Sequence, residues 1–252
     1  MLAARGLAVE ISGHAVCSGF DVEIAPRQRW GVLGRSGAGK TALLHTLAGL
    51  RRPTAGCVCW QGRDLGTLPR REIALRIGLV PQTDEHSFPV TVAEAVLAGR
   101  YPHLGRWHAT AAADREAVGE ALRALGLGGL EDRPVPSLSG GERRRLSVAT
   151  LLAQDPPVAL LDEPTNHLDP AHQIAVMRLL RERFAAPGRA LVLVLHDVNL
   201  ALRFCSHLLL LFGDGSQATR AVDALSAEDL ERLYSHPMVA VGPAASRAFL
   251  PA

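Results

Sequence analysis

Residues 34–41 read Gly34-Arg35-Ser36-Gly37-Ala38-Gly39-Lys40-Thr41, and this octet limits the possible folds more than any other stretch of the chain. Glycine at 34, 37 and 39 lets the backbone curl where a Cβ would forbid it, so that successive N–H groups converge. Before the octet, Arg29-Trp30-Gly31-Val32-Leu33 has the character of a short buried strand; after it, residues 42–49 have that of a helix with glycine near its end. Strand, glycine loop and helix in this order make the phosphate cradle G-x-x-x-x-G-K-[ST]. The helix N-terminus adds partial positive charge. Lys40 is placed to reach the β- and γ-phosphates, and the Thr41 hydroxyl to hold Mg²⁺.

Composition sharpens this reading. Of the 27 basic residues, 26 are arginine and Lys40 is the one lysine. A chain drifting towards arginine keeps lysine where a compact charge on a thin stem is required and a planar fork does not fit. Net charge is +2, which argues against a broad basic surface for nucleic acid. The longest strongly apolar runs, 190–195 and 208–212, fall far short of the roughly 20 residues that span a bilayer. The opening Met1-Leu2-Ala3-Ala4-Arg5 lacks a signal-peptide pattern. The expectation is a soluble, cytosolic chain that meets a membrane only through a partner. Cys17, Cys57, Cys59 and Cys205 make neither a disulfide scaffold nor a paired metal knuckle, and are expected reduced.

A cradle alone leaves kinases, GTPases, motors and transport ATPases open. Residues 158–161 are an apolar run delivering Asp162 and Glu163 to the C-terminal edge of a parallel sheet. Asp162 is the expected Mg²⁺ ligand, and Glu163 is placed to polarise an attacking water. Residues 190–195 likewise deliver His196, which can hydrogen-bond a γ-phosphate. Gln82 follows the candidate strand 77–80, where its amide can touch Mg²⁺ or the water. Leu138-Ser139-Gly140-Gly141-Glu142 suits a helix start and a second anion cradle. A second cradle makes sense if it serves the nucleotide of another copy of the chain. The following Arg143, Arg144 and Arg145 read better as a solvated helix face than as phosphate ligands.

Together these stretches resemble the nucleotide-binding subunits of ATP-binding-cassette (ABC) transporters, over roughly residues 5 to 235. Gly34 to Thr41 match the Walker A motif, Gln82 the Q-loop, and Leu138 to Glu142 the LSGGE signature. Residues 160–163 match Walker B, Asn166-His167-Leu168-Asp169 the D-loop, and His196 the switch histidine. The resemblance implies an α/β P-loop NTPase fold, with a parallel-sheet core, N-terminal antiparallel strands and a helical signature subdomain. One domain would span 1–252, with the helical part at roughly 86–156 and a tail at 235–252. It further implies ATP and Mg²⁺, and a head-to-tail homodimer that seats each ATP between Walker A of one copy and Ser139, Gly140 and Gly141 of the other. Glu163, His196 and Gln82 would be catalytic, Asp169 would join the nucleotide site, and Thr41, Gln82 and Asp162 would hold the metal. Three features depart from the family pattern. Ile11 or His14 stands where an aromatic residue usually meets adenine, Arg35-Ser36 replaces Pro-Asn, and Ala42 replaces a second hydroxyl.

The remaining order predicts strands at 7–11, 20–24 and 208–212. It predicts helices at 92–99, 109–125, 141–154, 171–184, 198–204 and 226–234, with Ser226 as a cap and a loosely packed tail after it. Alternation of strands and helices implies helices on both faces of a parallel sheet. Residues 83–89 and the helix starting at Thr91 are expected to meet membrane permease subunits. Phe88-Pro89-Val90-Thr91-Val92, Gly99-Arg100-Tyr101-Pro102-His103, residues 168–173 and residues 196–201 resemble cassettes of ferric-siderophore, haem and cobalamin importers. That implies ATP-driven import through a separate permease fed by a substrate-binding protein, at the cytoplasmic face of a bacterial inner membrane. A cassette for another metal or for export, a soluble ABC ATPase and a small P-loop kinase are the alternatives.

Overall fold

The computed structural model describes residues 1–82, 90–104, 112–243 and 247–252. The chain opens with two long antiparallel strands, β1 (Leu2–Ile11) and β2 (His14–Ile24), joined by a tight turn at Ser12 and Gly13. Both reach well beyond the predicted 7–11 and 20–24. The alternation that marks a half-buried strand is interrupted at Gly6 and Gly19, which adopt positive φ, and the pairing register shifts between Ala4 and Leu7. Next come β3 (Arg29–Gly34) and α1 (Lys40–Leu47), as the octet predicts. A pair of strands not foreseen, β4 (Ala55–Trp60) and β5 (Arg63–Asp64), completes a four-stranded antiparallel sheet in the order β2-β1-β4-β5. A short α2 (Arg70–Ala74) leads into β6 (Ile77–Val80).

The helical part comprises α3 (Val92–Ala98), α4 (Ala112–Ala124) and α5 (Gly140–Gln154). Both α3 and α5 start on capping boxes, Thr91 with Glu94 and Ser139 with Glu142. The helix predicted from 109 is described from Ala112; residues 109–111, and the expected permease-facing stretch 83–89, lie outside the described residues. The core then resumes with β7 (Val158–Asp162), α6 (Pro170–Arg183), β8 (Ala190–Val194), α7 (Val198–Phe204), β9 (His207–Leu211) and β10 (Gln217–Ala221). Six strands form one sheet in the order β10-β9-β3-β8-β7-β6; all neighbours are parallel except β10 with β9.

Both faces of this sheet are covered, which is why its strands are continuous apolar runs. Val32, Leu160, Val192, Val194 and Leu209 face a core shared with α1 and the antiparallel sheet. Leu33, Leu161, Leu191, Leu193 and Leu210 face the helices on the other side. The sequence-level fold class is therefore the observed one. No helix among the described residues is long and apolar enough to cross a membrane.

The tail is not loose, contrary to expectation. After α8 (Ala227–Tyr234), capped by Ser226, the chain forms an antiparallel hairpin of β11 (Met238–Val241) and β12 (Ala248–Pro251). Phe249 is 1% exposed and Met238 8%. Burying an aromatic ring and a long apolar side chain gains about 1.5–3 kcal/mol each, which holds the hairpin against α7 and α8. The four cysteines are free; Cys57 and Cys59 lie side by side on β4 with sulfurs 3.5 Å apart.

Candidate nucleotide site

Four adjacent strands, β3, β8, β7 and β6, end at the same edge of the parallel sheet. Their next residues are the octet, His196, Asp162 with Glu163, and Gln82, so stretches more than 150 residues apart in sequence meet at one place. This edge is where open α/β sheets bind ligands.

In the phosphate loop, Gly37 and Gly39 adopt φ of +82° and +86°. A Cβ on Gly37 would meet nothing within 4 Å, which leaves the loop open towards a ligand; one on Gly39 would lie 2.3 Å from the Val16 side chain. Gly39→Ala combines that clash with about 1–2 kcal/mol of left-handed strain. It is expected to abolish nucleotide binding and to lower Tm, both read with a fluorescent ATP analogue and a thermal melt. Lys40 is buried, and its Nζ donates to the Gly34 and Arg35 carbonyls at 2.8 and 3.0 Å. Burial lowers its pKa, while the Glu163 and Asp162 carboxylates oppose that shift. Arg35, exposed, turns its guanidinium to the Ser235 hydroxyl at 3.1 Å. Ser36 is exposed and Ala38 buried, its N–H closing a turn onto the Arg35 carbonyl.

Asp162 is fully buried, and neither carboxylate oxygen has a hydrogen-bond donor at bonding distance among the described residues. Burial raises its pKa; the neighbouring Thr41 hydroxyl acts the other way, and the Glu163 charge adds to the rise. A buried carboxylate beside a hydroxyl, with no donor at bonding distance, suits a hard divalent cation. No group of three or more His, Cys, Asp or Glu side chains among the described residues forms a metal cage. Mg²⁺ is a hard cation that uses one or two carboxylates together with substrate phosphates.

Glu163 leaves the strand in a left-handed conformation, φ +53°, its N–H still paired with the Val194 carbonyl at 3.1 Å. Its side chain is buried and engaged on both oxygens. His196 Nε2 contacts Oε1, while Gln82 Nε2 donates to Oε2 at 3.2 Å and Asn166 Nδ2 donates to the same oxygen. The structure thus brings the three expected residues together and adds Asn166, three positions beyond Glu163, as a fourth. Its place in the D-loop stretch was the only signal for it.

The arginine run departs from expectation. Arg143 is exposed, but Arg144 is 5% exposed and no part of a solvated face. Its guanidinium donates to the carbonyls of Pro81, Asp162 and Glu163, the first at 2.6 Å and the last at 3.2 Å. One side chain of the signature helix therefore fixes the backbone leading to Gln82 and the turn that carries Glu163. A detectable signal existed, since Arg144, Val148 and Leu151 lie on one helical stripe.

Ser139, Gly140 and Gly141 sit elsewhere. They line a cavity of 510 Å³ with Arg145, Leu168, Asp169 and His172, and no residue of 34–41 belongs to its walls. The Ser139 hydroxyl caps α5, and the Ser139 backbone N–H and hydroxyl together hold the Glu142 carboxyl below its ordinary pKa. A Cβ on Gly141 would stand 3.1 Å from the His167 carbonyl, so the signature turn and the D-loop are in close approach. Asp169 caps α6, accepts the His172 N–H at 2.9 Å and pairs with His172 Nδ1 at 2.7 Å. At the position expected for adenine stacking, Ile11 is half-buried and His14 exposed.

Comparison with known proteins identifies the family. Residues 17–166 match the ABC transporter domain family. The hemin import ATP-binding protein HmuV of Pseudomonas entomophila is 43% identical over 217 residues, covering 84% of this chain and 83% of its own length. The ferric enterobactin transport ATP-binding protein FepC of Escherichia coli is 40% identical over 225 residues, covering 88% and 82%. A solved inward-facing ABC transporter described as of metal-chelate type superposes with a TM-score of 0.85 at 27% identity, over 100% of this chain and 97% of that one. The chain belongs to the ABC transporter family and is one of its ATPase cassettes.

Proposed function

We propose that this cassette powers import of a metal chelate (ferric siderophore, haem or cobalamin) through a separate membrane permease, bound peripherally at the cytoplasmic face of a bacterial inner membrane. The observation that carries the reading is the likeness to the hemin and ferric enterobactin cassettes over more than four-fifths of both chains. The separation of the two anion cradles supports a homodimer in which each copy completes the other's site.

In this reading ATP lies on residues 34–41, with the loop N–H groups and Lys40 on its phosphates. Lys40 must leave the Gly34 and Arg35 carbonyls to do so, and burial keeps its charge undiluted by water. Thr41 and Asp162 would hold Mg²⁺, with Gln82 beside them, and the ion neutralises charge on the β- and γ-phosphate oxygens when bound. The helix start at Ser139, Gly140 and Gly141 of a second copy, with its Asp169, closes over the γ-phosphate. Glu163 accepts the proton of the attacking water. His196, now on Glu163, moves to the γ-phosphate. Gln82 releases Glu163 at the same time and relays closure to the permease, which in turn calls on a substrate-binding protein outside.

The test is uptake by cells lacking this chain, offered labelled ferric siderophore, haem and cobalamin in parallel and complemented with wild type or Lys40→Ala. Loss of uptake for one chelate, restored by wild type alone, is expected. Lys40→Ala removes a charge-assisted phosphate contact and is expected to bind ATP at least about tenfold more weakly. Unchanged uptake of all three chelates would overturn the substrate class.

A further inference from the structure

The C-terminal segment touches both the phosphate loop and the helix that follows His196. Asn199, in the first turn of α7, makes a reciprocal pair of hydrogen bonds with the backbone of Phe249 in β12. The Phe249 N–H donates to Asn199 Oδ1 at 2.9 Å, and Asn199 Nδ2 donates to the Phe249 carbonyl at 3.1 Å. An asparagine side chain here does the work of a neighbouring strand, satisfying both polar groups of one residue. The helix it fastens begins directly after His196. Asp197 caps that helix, accepting the Asn199 N–H at 2.7 Å and the Leu200 N–H at 3.4 Å.

The end of α8 adds a second contact. Tyr234 ends α8 with an enclosed hydroxyl that has no hydrogen-bond partner among the described residues; burial first, and the Asp197 charge second, push its pKa up to about 12. The next residue, Ser235, accepts the Arg35 guanidinium of the phosphate loop at 3.1 Å. Ser235 therefore faces the phosphate loop, and the hairpin that follows returns to fasten Asn199.

We infer that residues 234–243 and 247–251 are a brace that fixes the start of α7, and so the base from which His196 moves, relative to the phosphate loop, with Asn199 its positioning residue. The inference rests on the assignment of His196 to the γ-phosphate. Asn199 bonds Asp197 and Phe249 and is not among the residues assigned to ATP, so its loss acts on the chemical step through His196 and leaves ATP binding alone.

The experiment is steady-state ATPase kinetics of the full-length chain with its permease, for Asn199→Ala, His196→Ala and the double variant, alongside ATP affinity and thermal melts. Asn199→Asp is measured in parallel as a same-sized variant that folds if Asn199→Ala does not. It keeps the acceptor for the Phe249 N–H and sets a carboxylate against the Phe249 carbonyl. The expected result is a fall in kcat of about three- to thirtyfold for either Asn199 variant, with KM for ATP within about twofold of wild type. In the His196→Ala background the further loss should vanish, because the positioned group is gone. A purely structural role would cut the active fraction by the same factor in both backgrounds, and that result overturns the brace. So does wild-type kcat in both Asn199 variants while His196→Ala is impaired. Wild-type turnover in His196→Ala instead removes the assignment of His196 itself, and the brace with it.

Discussion

Replacing Glu163 with glutamine is expected to lower ATP turnover by about 10²–10⁴-fold, the range lost when a general base is removed, while ATP binding persists. The site explains why this substitution separates binding from chemistry. Glutamine has the size of glutamate and can keep most of its contacts. Its amide oxygen still accepts from Gln82 and Asn166, and its NH₂ can donate to a neutral His196 where the carboxylate now contacts Nε2. The left-handed turn and its pairing with Val194 are untouched. What disappears is the proton acceptor, and with it a negative charge that opposes the γ-phosphate at short range. The variant should therefore elute as a dimer at saturating MgATP under conditions where wild type, cycling through hydrolysis, does not. If Glu163→Gln stays monomeric there while still binding ATP, the closed two-cradle dimer is wrong for this chain.

The placement of these residues was legible because they lie in short contiguous stretches at strand ends. The octet, the acid pair after 158–161, and His196 after 190–195 each carry their own context, so neighbouring residues predict both strand and edge. The continuous apolar runs of β7, β8 and β9 were equally plain, because strands covered on both faces have no polar alternation to disguise them. The antiparallel sheet was harder. Gly6 and Gly19 break the alternation, and β4 and β5 offer only six and two residues, split by a turn. The C-terminal hairpin was missed for another reason. Pro237, Gly242, Pro243 and Pro251 read as breakers, while the partner that secures Phe249 is Asn199, 50 residues earlier. Asn166 and the Arg35–Ser235 contact are likewise matters of tertiary placement, to which local patterning does not extend.

Arg144 gives the largest stability effect. A run of three arginines suggests hydration, and on an open helix face substituting one would change stability by no more than about 0.5 kcal/mol. Arg144→Ala is instead expected to cost about 3–5 kcal/mol. The buried carbonyls of Asp162 and Glu163 and the part-buried carbonyl of Pro81 lose a charged donor, each such bond being worth about 1.5–3 kcal/mol; the Asn166 N–H still on the Glu163 carbonyl and water reaching the gap offset part of the loss. For a chain of this size that corresponds to a fall in Tm of roughly 6–20 °C. Arg144→Lys should recover only part of it. Its three donors diverge from one nitrogen, whereas the carbonyls of Pro81, Asp162 and Glu163 are met by different nitrogens of a planar fork. The folded remainder of either variant should also hydrolyse ATP slowly, because the turn at Glu163 and the approach to Gln82 share this one anchor. Thermal melts of the three proteins, with turnover corrected for folded fraction, measure both effects. A Tm for Arg144→Ala within about two degrees of wild type would mean that the three carbonyls are satisfied without the guanidinium, and that the signature helix is not what holds the Glu163 turn in place.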